Sequence, residues 1–412
     1  MKTQFTCPYS SSRLLIGALL CLVAAVVIIF LKVADDRKQI AAVEPAASAL
    51  SSADAIGDNG QTVSENSPVD PAVRVLREAL MDGVQRLKER AAVNSADDTN
   101  ASAVLRSLLS DSLAEPALEV VLALLDSGID APTGESFDVG MDGFLQSAPT
   151  VRVLLLDFLG ELNAQVATQY ARKILDATDA TVDERAIALR NYATGSHLSN
   201  NSEAAIGDSY LIEKVQQTIA QGRASNEPTP GFLHALDFAV LAPTPDAIVE
   251  LSELSIDGGQ HAAVRRVAAA QLNRLASRDF PRALGTLQST GTLGTLPGAR
   301  RAQLFSYADV RDSDSAALLE AYLASPVEPD ELNRFANLFP NFGLQVTNHL
   351  ATQNPAVQMT DDADAVIEAW LVVQAWRTDD RFAEKDAALA LTEARLERLV
   401  TSIRRGLSAD TN

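Results

Sequence analysis

Apolar and polar residues are arranged in two ways along this chain. Leu14 to Leu31, LLIGALLCLVAAVVIIFL, runs for eighteen residues without a charge or a proline. From Pro71 onward the apolar positions recur three and four apart, with Gly, Pro, Asp or Ser between the periodic blocks. The first pattern predicts a membrane span and the second a series of amphipathic helices. Strand signals are nearly absent, because no two alternating runs flank a hairpin turn.

At about 1.5 Å per residue the first run reaches ~27 Å, close to the hydrocarbon thickness of a bilayer. Arg13 and Lys32 close its ends and can snorkel outward. A cleaved signal needs a shorter apolar core and small residues at the cut, whereas this run ends in FLKVADD. Leu20 before Cys21, and the apolar residues after it, do not fit a lipoprotein signal. The expectation is therefore an uncleaved signal anchor over 14–33 behind a short basic N-terminus, 1–13. Gly17, Cys21 and Ala25 recur every four residues, and such a small-residue face predicts self-association of the span.

Residues 34–69 are rich in Ala, Ser, Gly, Pro and acids, with few large apolar groups, and read as a flexible linker. Order begins at Asp70-Pro71, a cap and a first-turn proline. Val73, Leu76, Leu80, Val84 and Leu87 then form one stripe. A short helix over 103–113 and another from Glu115-Pro116 to Leu125, stopped by Gly128, complete an N-terminal group, 70–130. Residues 131–148 read as loop. Paired helices occupy 149–379, beginning near Thr150, Ala180, Gly231, Gln260, Pro297, Glu328 and Asp364. Their average spacing of about 36 residues lies in the range of tandem helical repeats. AVIEAWLVVQAW, 365–376, is apolar nearly all round and predicts burial of both Trp. The final segment, 380–412, reads as a capping helix from Asp380 to Leu407, with Phe382, Leu389, Leu396, Leu399 and Ile403 as its stripe.

PTVRVLLLDFLGEL (149–162), ATVDERAIALRNYA (180–193) and AAVRRVAAAQLNRLA (262–276) resemble the helix pattern of HEAT-type repeats, with weaker echoes at 299–308 and 331–339. The resemblance implies an all-α, α-solenoid-like array used as a binding scaffold. The residues themselves say less: each helix pair has one apolar face and must stack on its neighbours to bury it.

Charge narrows the partners. The chain carries −20 formally, and because residues 1–40 hold five basic and two acidic side chains, the remaining 372 carry −23. Such a surface repels nucleic acid and anionic headgroups, so a nucleic-acid partner is not expected. The N-terminal 13 residues contain no acid, which favours export of the residues beyond the span. High Arg and Ala usage points to a bacterial source. Together these place the anchor in the bacterial inner membrane and residues 34–412 in the periplasm. Cys7 and Cys21 are the only cysteines, so the exported part has neither disulfide nor thiolate.

The sequence shows no catalytic constellation, and no metal or cofactor is expected. His197, His234, His261 and His349 lack a second ligand at HExxH-like spacing. DVRDSDSAALLE, 309–320, resembles a calcium loop without its central Gly and reads as a loop and helix cap. Gly258-Gly259 reads as a turn before a helix, and Asp361-Asp362 as capping acids at a helix start. Arg152, Arg185, Arg265 and Arg300 recur and make a candidate partner-binding groove, the alternative being hydrogen bonds between neighbouring helices. The leading functional expectation is a membrane-tethered scaffold or assembly factor that binds another protein. The alternative is a membrane-anchored steric chaperone resembling lipase foldases, which share this layout. SFDVGMDGFLQSA (136–148) carries Phe137-Asp138 of their signature but not its Arg or Tyr. An enzyme with an unrecognised site is the third.

Overall fold

Helix caps set the plan of the molecule. A computed structural model describes residues 70–93, 101–140, 142–198, 208–224, 227–341, 350 and 363–409. The expected span 14–33 with Gly17, Cys21 and Ala25, the linker 34–69, Asp361-Asp362 and His349 lie outside them. Among the described residues no helix is long and apolar enough to cross a membrane.

The order is α1 Pro71–Val93, α2 Ala101–Ser110, α3 Ala114–Asp126, β1 Asp138–Val139, β2 Leu145–Ser147, α4 Val151–Leu162, α5 Ala164–Asp176, α6 Val182–Ala193, α7 Ser209–Arg223, α8 Pro230–Ala235 and α9 Phe238–Leu241. It continues α10 Pro245–Ile256, α11 Ala262–Arg278, α12 Phe280–Ser289, α13 Gly298–Phe305, α14 Ser313–Ala324, α15 Pro329–Leu338, α16 Ala363–Arg377 and α17 Asp386–Ala409. The described chain is all-helical apart from one two-stranded ribbon.

Each start has a chemical cause. Asp70 accepts from the Ala72 N–H at 2.8 Å. Asn163 accepts from Gln165 and Val166. Thr181 and Glu184 form a reciprocal capping box. Thr229 and Thr244 each cap a helix whose first turn carries a proline. Asp312 accepts from the Ser315 N–H at 2.9 Å, so the acid-rich segment 309–320 is a short loop ending in the cap Asp312, followed by the first turns of α14. Asp257 closes the turn at Gly258-Gly259 by accepting from the Gly259 N–H at 2.9 Å.

Helices meet mainly their neighbours in the chain. α5 lies on α6, α6 on α7 and α8, α10 on α11, and α16 on α17. One apolar cluster runs from Val73 through Leu154, Leu189, Leu251, Leu284 and Phe335 to Leu396. The boundaries drawn at 130, 148 and 379 do not interrupt it. In the C-terminal half the core is a file of rings: Phe280, Phe305, Tyr322, Phe335, Phe339, Trp376 and Phe382, with neighbouring centroids 3.9 to 6.1 Å apart.

Four expectations are corrected. Residues 131–148 are not only loop: β1 and β2 pair antiparallel through a turn in which Gly143 takes φ +82. Strands of two and three residues are too short to show alternation, and only a left-handed turn residue marks them. The helix pair near Pro297 does not close on itself, since α13 runs against α15 while α14 lies on α12. Trp376 is buried, but Trp370 is half-buried and Leu371 is 46% exposed, because α16 has neighbours on only part of its circumference. The last stretch begins as a 3₁₀ turn, Asp380–Lys385, before α17, and Val400 takes the core place expected for Leu399. From Leu396 the next position facing the core falls four residues on.

Candidate functional site

The four arginines of the expected groove each have partners of their own. Arg152 on α4 pairs through Nε with Glu184 on α6 and donates from Nη1 to the Leu125 carbonyl of α3 at 2.7 Å. Arg185, 7% exposed, donates to the carbonyls of Leu175 and Ala177, which end α5. A cation there satisfies otherwise orphaned carbonyls and meets the negative helix end. Arg265 donates to the Gln260 carbonyl before α11. Arg300 donates to Asn273 and Gln303, both at 3.2 Å, and burial pulls its pKa down. No two of the four share a partner. Arg301 makes the stronger link, donating to both Glu331 carboxylate oxygens and, at 2.7 Å, to the Leu296 carbonyl.

A buried ionic cluster stands out that motif spacing does not reveal. Asp157 is fully buried on α4 and takes one guanidinium on each side, Arg190 from α6 and Arg106 from α2. It also accepts from the Leu145 N–H at 3.1 Å. Arg190, 1% exposed, donates to the Gly143 carbonyl at 3.1 Å, and its guanidinium lies 4.5 Å from the Phe144 ring centroid. Arg106 pairs in addition with Glu161, whose pKa burial pushes up. Two cations and two anions thus neutralise one another and fasten the ribbon, residues 138–147, onto α2, α4 and α6. Within 136–148, Phe137, Val139, Leu145 and Ala148 are buried in the core. The one signal in the sequence is Asp157 itself, an acid inside the otherwise apolar run VLLLDFL, 153–159.

Asp183 links α6 to α8 by accepting from the Gly231 N–H at 3.0 Å, and burial pushes its pKa up. A carboxylate with a raised folded-state pKa favours folding most when protonated. Its contribution therefore falls as pH rises from the ordinary Asp value through the raised one. Asp183→Asn keeps an acceptor for Gly231 without the charge. Its melting temperature is expected to exceed the wild type's at pH 7, with the gap closing toward pH 4. A gap independent of pH would contradict this assignment.

Of the histidines, His234 stacks on Phe137 at 5.6 Å between centroids and lies 3.8 Å from Asp237. His261 caps α11 by accepting from the Ala263 N–H. Among the described residues no group of three His, Cys, Asp or Glu could hold a metal ion.

A cleft of about 430 Å³ opens between the turn at Gly291–Leu296 and the loop at Ser325–Val327. Phe305 and Tyr322 are stacked in its wall, Leu318 and Val327 add apolar lining, and the Arg301–Glu331 pair supplies a polar edge. Its volume suits a bulky side chain or a small ligand. The Arg301 and Glu331 charges answer each other, so the recess favours a neutral, apolar group. Burial and the Glu331 charge push the Tyr322 hydroxyl pKa up, leaving it a neutral hydroxyl. No helical period marks this cleft in sequence, because two connections nearly thirty residues apart build it. No protein-family model, curated protein or solved structure matches the chain.

Proposed function

We propose that this chain is a single-pass, membrane-tethered helical-repeat protein that binds another protein as a scaffold or assembly factor of the bacterial envelope. The observation that carries this reading is the order of helix contacts: neighbours in sequence are mostly neighbours in space, bound by one shared apolar cluster. Cross-helix ties such as Arg152–Glu184 and Arg301–Glu331 join elements about thirty residues apart in the chain. In an α-solenoid-like stack, helix sides and turns together form the kind of surface that repeat proteins use to hold partners. The cleft beside Tyr322 offers an apolar recess for a partner's side chain.

Residues 14–33 supply the tether and 34–69 the stalk, and the small-residue face at Gly17, Cys21 and Ala25 pairs two spans. The acid-free N-terminus puts residues 34–412 in the periplasm. A C-terminal alkaline phosphatase fusion is expected to be active and a green fluorescent fusion dark. The reverse pattern would place the domain in the cytoplasm.

A further inference from the structure

α17 distributes its charge unevenly. Its acids Asp386, Glu393 and Glu397 project toward the α16 side at 100° per residue, and Asp386 and Glu393 there bind Arg377 at 2.8 and 2.5 Å. Leu389, Thr392, Leu396 and Val400 face the core. The remaining side carries Leu391, Ala394, Arg395, Arg398, Leu399 and Ser402, and no acid. Leu391 and Leu399 are 45% and 42% exposed and stand four residues either side of Arg395. The Nε and one Nη of Arg395 are buried without a hydrogen-bond partner. Burial and the neighbouring Arg398 charge pull the Arg395 pKa down. An arginine pair without a carboxylate stands out in a chain of net charge −20.

We propose that this side of α17 docks on an anionic phospholipid surface. That occupant offers in one place both things the face lacks, fixed negative charge and apolar depth. Arginine stems can lie along the headgroup layer while the leucines enter it. The acidic remainder of the body is repelled by the same surface, and screening over about 8 Å lets the local cations act when only this side approaches. Docking would therefore fix the body's orientation. The inference rests on the membrane reading for a lipid surface close at hand, and the test separates the two.

The full chain, with Cys7→Ser, Cys21→Ser and Ser402→Cys, would carry a polarity-sensitive nitrobenzoxadiazole label at position 402. Co-migration with lipid nanodiscs on gel filtration reports the tether by itself; a chain that does not co-migrate is assayed with added vesicles of the same lipids. Label emission is expected to rise roughly twofold and shift to the blue in equimolar phosphatidylcholine and phosphatidylglycerol, but not in phosphatidylcholine alone. The rise should vanish in Arg395→Gln/Arg398→Gln, and the same label at Ser313→Cys should not respond. Equal emission in both lipids, or a rise that survives the double substitution, would overturn the proposal. An equal response to soluble polyglutamate would assign the face to an acidic polypeptide and overturn the lipid assignment.

Discussion

Replacing Asp157 with Ala is expected to destabilise the N-terminal half by about 3–5 kcal/mol, the usual cost of leaving a buried charge without its partner. Arg190 is 1% exposed and would keep its charge with no carboxylate bonded to it, only carbonyls, Asn191 and the Phe144 ring. The Leu145 N–H would lose its acceptor, and the ribbon its anchor. Asp157→Leu combined with Arg190→Leu should lose less than the sum of the single changes, because the pair leaves together. Hydrogen exchange is the suitable measurement, since a long array need not unfold in one step. Faster exchange confined to 101–193 supports the assignment. A change under about 1 kcal/mol would mean that the cluster contributes little to holding the fold.

Phe335→Ala is expected to cost about 3–5 kcal/mol in the C-terminal half. Phe335 is 1% exposed, with Tyr322 and Phe339 rings 5.7 and 5.1 Å away. Removing it opens a gap in the middle of the ring file, where α13, α14 and α15 meet. If stability is a sum of units and their nearest-neighbour interfaces, α13 to α17 should exchange faster while α4 to α6 keep their protection. The Asp157 and Phe335 variants should then add without interaction. Uniform loss of protection across 70–409 after either change would show one cooperative unit instead of stacked repeats.

Much of this architecture could be read from local chemistry. Asp70-Pro71 and Thr150 mark helix starts because short-range capping depends only on the residues involved. The stripe Val73, Leu76, Leu80, Val84 and Leu87 is buried throughout, since a helix with one neighbouring layer keeps a single apolar face. What the sequence hides is long-range. That α13 passes α14 to lie on α15 depends on how the connections turn, which no periodicity records. Arg152 and Arg300 look alike in sequence, yet one meets a carboxylate and the other two amide side chains. Position 301 beats position 300 as the cross-helix link because Glu331 lies on its side of the helix. The cleft and the unpaired Arg395 arise only where separate segments meet.

Photo-crosslinking in cells tests the protein-binding reading most directly. Full-length chains would carry p-benzoylphenylalanine at exposed positions along the array, Gln288 and Ala321 beside the cleft among them. The expected result is one recurring protein adduct, captured from neighbouring positions and lost when the probe moves to the far side of the same helix. Absence of any specific protein adduct along 149–379, with the chain present at normal abundance, would contradict a protein-binding scaffold.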